Sequence, residues 1–260
     1  MPFQPLDWWA LAAWIGCWVG YQLWAEDAAH GTSLGAAVRP FRRAWMHEAM
    51  ARENRVSDAA LVGNLMQSAT FLASTTLLVL GGLLALLGTL EKSAAVVQSL
   101  PFAQKTSSAL FELKALALAL VLAYAFLRFI WAIRLFNLVV ILLGAYPPAA
   151  TAATAATAAT AATAAPAAPA GESAARAAAG TSADTAATPA LRERLVLRAA
   201  RLNELAGASF TQGLRAYYYA VPLLLWLVNP WMFIAGSLVI TLVTWWLEFR
   251  SATVEALTQP

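Results

Sequence analysis

Four polar side chains interrupt the most apolar stretch of the chain, and their types could do chemistry there. Lys114, Arg128, Arg134 and Asn137 lie within residues 112–146, which are otherwise almost wholly Leu, Ala, Val, Ile and Phe. A second polar series, Asn64, Ser68, Ser74 and Thr75, opens another apolar run. Cations set in apolar sequence bind anions or acidic side chains, and hydroxyl and amide groups hydrogen-bond a solute or a neighbouring helix. No Ser/His, His/Glu or paired-carboxylate arrangement falls inside an apolar stretch, so an enzyme is not expected. His30 and His47 are the only histidines, with no carboxylate or thiol cluster around them. They read as loop residues, and neither a metal nor another cofactor is expected. Cys17 is the single cysteine and reads as a small packing residue.

The surrounding composition says what positions these groups. The chain is 60% hydrophobic and 12% charged, against about 25% charged in soluble domains. That balance fits helices whose solvent is partly lipid. No basic tract with interleaved aromatics occurs, so nucleic acid is not expected as a partner.

A first span is expected at about 6–25, uncleaved, since residues 1–6 carry no Lys or Arg. Trp8, Trp9 and Trp24 fit interfacial belts, while Trp14, Trp18 and Tyr21 recur on one face and read as packing. A polar connection follows, in which Pro40 starts an amphipathic helix. Phe41, Trp45, Ala49 and Met50 form its apolar side, against Arg42, Arg43, Glu48, Arg52, Glu53 and Arg55. A second span is expected at about 68–90, its hydroxyl-rich half turned toward other helices. A third, at about 113–136, extends as helix to 146, where Pro147-Pro148 ends it. As one helix this element is roughly 50 Å long, more than the ~30 Å hydrocarbon core.

Thr151, Thr154, Thr157, Thr160 and Thr163 then recur every third residue in alanine, within a flexible Ala/Thr-rich insertion at 149–190. A second amphipathic helix is expected over 191–215, with Gly207 and Gly213 loosening its last turns. The final apolar element, about 216–249, is broken by Asn229-Pro230. One kinked helix is preferred there over a hairpin. The segments are therefore a membrane domain at 1–148, the insertion, and a closing unit at 191–260.

Arginines crowd the first and third connections, which places both in the cytoplasm and the N-terminus outside. At about 100° per residue, Lys114, Tyr124, Arg128 and Trp131 share one side of their helix, whereas Arg134 and Asn137 point elsewhere. Glu26 and Asp27 are the expected partners of the arginines, and Asp7 and Glu248 those of Lys114. The preferred reading is a structural brace. An inward basic face lining a path or an anionic pocket is the functional alternative, and lipid-headgroup binding a third.

Several pieces together resemble a known family. They are Trp45-Met46, Arg52-Glu53-Asn54-Arg55-Val56-Ser57-Asp58, Asn64 with the run 68–75, Lys114, and the run 126–137. Gly213-Leu214-Arg215-Ala216-Tyr217-Tyr218, Pro230-Trp231 and Glu248-Phe249-Arg250-Ser251 complete them. This set resembles domain-of-unknown-function family 599, multi-pass membrane proteins of bacteria and plants, over nearly the whole chain outside the insertion. The resemblance implies a four-span membrane protein and brings no catalytic residues.

The expected fold is all-α, a polytopic bundle of about four spans with two cytoplasmic amphipathic helices in the cell (inner) membrane. Two functions stand open. One is a channel-like or transport protein, in oligomeric form, with a basic and hydroxyl-lined interior. The other is a structural or accessory scaffold whose cytoplasmic helices bind a partner. The lipid bilayer, further copies of the chain and an unidentified protein are the expected partners.

Overall fold

Every element of the computed structural model is helical. It describes residues 5–28, 33–89, 96–97, 99, 104, 107–146 and 189–258. In chain order the helices are α1 (Pro5–Ala28), α2 (Leu34–Ala51), α3 (Val56–Leu87), α4 (Ser108–Ala145), α5 (Pro189–Val228), α6 (Pro230–Phe249) and α7 (Ala252–Thr258). Among the described residues three stretches are long and apolar enough to cross a membrane: α3, α4, and Pro230–Leu257. The expected insertion lies almost wholly outside the described residues, as does His30.

Local chemistry sets several helix starts. Ser33 caps α2 by accepting the Ala36 N–H at 3.2 Å. Ser107 caps α4 by accepting from Leu110 N at 3.4 Å. Asn229 accepts the Trp231 N–H at 2.9 Å, with Pro230 at the first position of α6.

Asn229 and Pro230 correct the expectation of one kinked helix over 216–249. The chain ends α5 at Val228 and starts α6 two residues later. Arg215 meets Glu248, Tyr219 meets Thr241, and Gly236 faces Pro222 and Leu225. Numbers rise on one helix as they fall on the other, so α5 and α6 form an antiparallel hairpin.

Three further boundaries differ. The second apolar helix begins at Val56 rather than near residue 68, because Asp58 in its first turn favours the helix N-terminus. Pro40 lies inside α2, since the Ser33 cap starts that helix earlier. The amphipathic and apolar parts of α5 are one continuous helix. Gly207 and Gly213 do not loosen it but let neighbours approach. A Cβ on Gly213 would stand 2.6 Å from a Phe129 ring carbon, and one on Gly207 2.7 Å from the Arg42 guanidinium.

Two cores are stacked along α4 and α5, which run antiparallel. The first holds Trp14, Leu118, Leu122, Phe129, Tyr219, Leu223, Trp226 and Phe233, from α1, α4, α5 and α6. The second holds Met46, Met50, Val62, Phe136, Val139, Leu143, Val196 and Ala199, from α2, α3, α4 and α5. At about 1.5 Å per residue the 38-residue α4 spans roughly 57 Å. Packing against the second core continues along α4 over a length that a ~30 Å hydrocarbon core would not cover. Phe41, expected on the buried face of α2, is 56% exposed, and Met46 takes its place. His47 lies exposed on the same helix rather than in a loop.

Candidate functional site

The polar groups of the interior are gathered in ties between helices, one at each end of the first core and more around the second. At the first end, Asp7 lies in the opening turn of α1 and Lys114 in the early turns of α4. Lys114 Nζ stands 3.3 Å from Asp7 Oδ1, and both side chains are buried. Nζ also donates to the Trp226 carbonyl at 3.0 Å, and the Trp226 indole N–H donates to Asp7 Oδ1 at 3.0 Å. The Trp226 carbonyl belongs to the last turn of α5, where helix carbonyls lack intrahelical donors. A cation there and a carboxylate at the start of α1 both complement the helix dipoles. The ammonium also lies 5.3 Å from the Trp226 ring centroid. Three helices meet in one closed set of bonds.

Glu248 does not join Lys114, which corrects that expected pairing. It stands at the end of α6, at the opposite end of the core. There it accepts from Arg215 Nε at 2.7 Å, Arg215 Nη2 at 2.5 Å and the Tyr21 hydroxyl at 2.7 Å. Arg215 Nη1 donates to Gln22 Oε1 at 3.1 Å. The two-pronged contact is the strong geometry for a guanidinium and a carboxylate. It joins α1, α5 and α6 at a level where α1 and α6 run side by side.

The second core is tied in the same manner. Arg42 Nη1 donates to the carbonyl and side-chain oxygens of Asn203 at 3.0 and 3.1 Å, crossing from α2 to α5. Burial pushes the Arg42 guanidinium down from its ordinary value, and Glu204 opposes that shift. Glu204 accepts from Arg43 at 2.6 Å and from Arg201 at 3.3 Å. Asp58, fully buried, accepts from the Trp45 indole at 2.9 Å and from Arg52 at 3.0 and 3.2 Å. Arg55 donates to the Leu143 and Tyr146 carbonyls at 3.2 and 2.6 Å and so closes the C-terminus of α4. The sequence singled out none of these residues as a site. Asp58 placed just inside a helix start, and arginines beside a helix end, are the signals that could have found them.

Arg128 stands apart. It is partly buried, and its Nε is enclosed with no hydrogen-bond partner in the described structure. The side chains of Glu26 and Asp27, its expected partners, lie outside the described residues. Arg134 is exposed and meets the Trp131 ring at 5.9 Å, and Asn137 is exposed too.

The hydroxyl series does not line the interior with Lys114 and Arg128. Asn64, Ser68 and Ser74 are exposed, and Thr75 is half-buried. Ser68 donates to the Asn64 carbonyl at 3.1 Å and Thr75 to the Phe71 carbonyl at 2.9 Å. Hydroxyls satisfied by their own helix need no facing neighbour. Thr76, one position on, is the buried one and bonds the Tyr217 hydroxyl of α5. Asn64, Gln67, Ser68, Phe71 and Leu72 line a shallow open groove.

Trp14, Trp18 and Tyr21 pack among Tyr124, Tyr219 and Phe233, with ring centroids 5.0–6.4 Å apart. Among the described residues no group of three His, Cys, Asp or Glu is placed to hold a metal ion.

No curated protein and no solved structure matches the chain. A family model described as a protein of unknown function, DUF599, matches residues 9–253.

Proposed function

The chain belongs to the DUF599 family, and from that premise and its tied interior we propose a multi-pass membrane protein acting as a structural or accessory scaffold. Helix directions support five passes, one more than the sequence suggested: α1, α3, α4, the second half of α5, and α6. Arg39, Arg42, Arg43, Arg52, Arg55, Arg192, Arg194, Arg198, Arg201 and Arg250 all belong to the Glu248 end. The basic bias therefore puts that end in the cytoplasm, the N-terminus outside and the C-terminus inside, in the cell (inner) membrane. The observation that carries the scaffold reading is that the buried carboxylates are each spent on a cation. Asp7 with Lys114 and Glu248 with Arg215 hold helices together instead of facing a path. The layer built from α2 and the first half of α5 then forms a fixed cytoplasmic surface for a partner protein.

Single cysteines in a Cys17→Ala background test both parts. Trp231→Cys should label with an impermeant thiol reagent from outside only, and Ala256→Cys from inside only. Labelling of both from one side would sink the five-pass topology. Arg128→Cys should resist aqueous reagents; rapid reaction there would replace the scaffold with a water-filled path.

The exposed polar face of α3 favours a second reading. Asn64 and Gln67 are exposed there, and each both donates and accepts, so a second copy could satisfy them symmetrically. A channel-like route would then run between copies. Ser68→Cys should cross-link copies in the membrane under this reading, and a chain that stays monomeric there ends it.

A further inference from the structure

We propose that the groove between the cytoplasmic ends of α4 and α5 binds one anionic phospholipid. Its phosphate would sit between Arg198 and Arg201, and its acyl chains would run along α4 toward Trp131. The site rests on the orientation proposed above, which places this groove on the cytoplasmic side.

Leu138, Ile141 and Leu142 of α4 and Leu202 of α5 form an apolar floor, which the carbon stems of Arg198 and Arg201 flank. Ile141 is 62% exposed, so the floor is left uncovered by the described residues. At 3.6 residues per turn the exposed side of α4 continues from Ile141 through Leu138, Arg134 and Trp131 to Leu127. From residue 127 to 142 this stripe measures roughly 22 Å, whereas half a hydrocarbon core is about 15 Å. The stripe is therefore longer than one leaflet and, apart from Arg134, apolar. An occupant must be apolar toward the bilayer and polar beyond it.

Charge decides its sign. Arg198 is exposed and makes no ion pair among the described residues. Among the described residues Arg134, about one turn from Leu138, meets only the Trp131 ring. Arg201 reaches Glu204 at 3.3 Å, but that carboxylate is held more closely by Arg43 at 2.6 Å. Three guanidinium groups thus share a fraction of one carboxylate. Paired arginines match a phosphate diester, and the apolar floor distinguishes a lipid from a free anion.

Native mass spectrometry of the full chain, titrated with phosphatidylglycerol and with phosphatidylcholine, tests the site. One phosphatidylglycerol should be retained about tenfold more than phosphatidylcholine. R198Q/R201Q should lose about tenfold in that occupancy. R198K/R201K should keep part of it, and Ile141→Trp should lower it by filling the floor. Equal retention of the two lipids, or full retention by R198Q/R201Q, overturns the proposal. Glycerol phosphate displacing the lipid at equal concentration would mean a headgroup-only anion site. A dimer abolished by Ile141→Trp, with no selective lipid adduct, would give the groove to a second copy. Thiol labelling of Leu197→Cys, in the Cys17→Ala background, separates failures. Labelling from outside sinks the orientation, while labelling from inside without a selective adduct sinks only the site.

Discussion

Replacing Lys114 with Met removes the ammonium from between Asp7 and Trp226 while nearly keeping its volume. At 3.3 Å, and with an effective dielectric constant near 20, the lost attraction is about 5 kcal/mol. Desolvation of both ions offsets much of that in the intact pair. The variant, however, leaves Asp7 buried with one indole N–H, and the Trp226 carbonyl without its Lys114 donor. Breaking a buried pair from one side costs roughly 3–5 kcal/mol. Pairing Lys114→Met with Asp7→Asn removes both charges and keeps an acceptor for the Trp226 indole. That double variant should lie within about 2 kcal/mol of the parent. Reversible unfolding in mixed detergent and dodecyl sulfate, followed by circular dichroism, gives all four corners of the cycle. Additive single losses, or a Lys114→Met loss below about 1 kcal/mol, would refute the brace.

The opposite end should behave alike: Arg215→Met leaves Glu248 with the Tyr21 hydroxyl and should cost about 3 kcal/mol in the same unfolding assay, partly restored by Glu248→Gln. Gly213→Ala drives a methyl into Phe129, which Phe210 and Tyr217 hold in place, and should cost about 1–3 kcal/mol. Combining it with Phe129→Leu should give less than the sum of the single losses, since the obstructing ring is gone. Arg55→Gln should uncover the last carbonyls of α4 at a cost of about 1–3 kcal/mol. Amide exchange in the final turn of α4 should accelerate, while exchange around residue 120 stays unchanged.

Hydropathy and helical periodicity made the long helices legible, because lipid-scale apolar runs leave few alternatives. Asp7 opposite Lys114 was readable from their shared level, one at the start of each helix. The partner of Glu248 was not. Finding it needed the hairpin, and the hairpin needed Asn229-Pro230 to be read as a cap and first helical residue. That signature is local and present in the sequence; the length of the apolar run outweighed it. The outward turn of Ser68 was hidden for another reason. Hydroxyls satisfy themselves on preceding carbonyls, so polarity alone did not reveal which side of α3 would be covered. Gly207 and Gly213 illustrate the same gap, because a glycine that admits a neighbour and one that loosens a helix look identical until the neighbour is placed.

The bond from Trp226 to Asp7 joins residues 219 positions apart. At synthesis rates of about 5–20 residues per second, α1 waits roughly 10–45 seconds before that indole exists. Lys114 emerges about midway through the interval, but its own carbonyl acceptor arrives only with the end of α5. α1 is thus made long before its last fastening arrives. Until the α5–α6 hairpin folds, the acid at the head of α1 lacks its indole donor, so the completion of this tie waits on the hairpin that closes the fold.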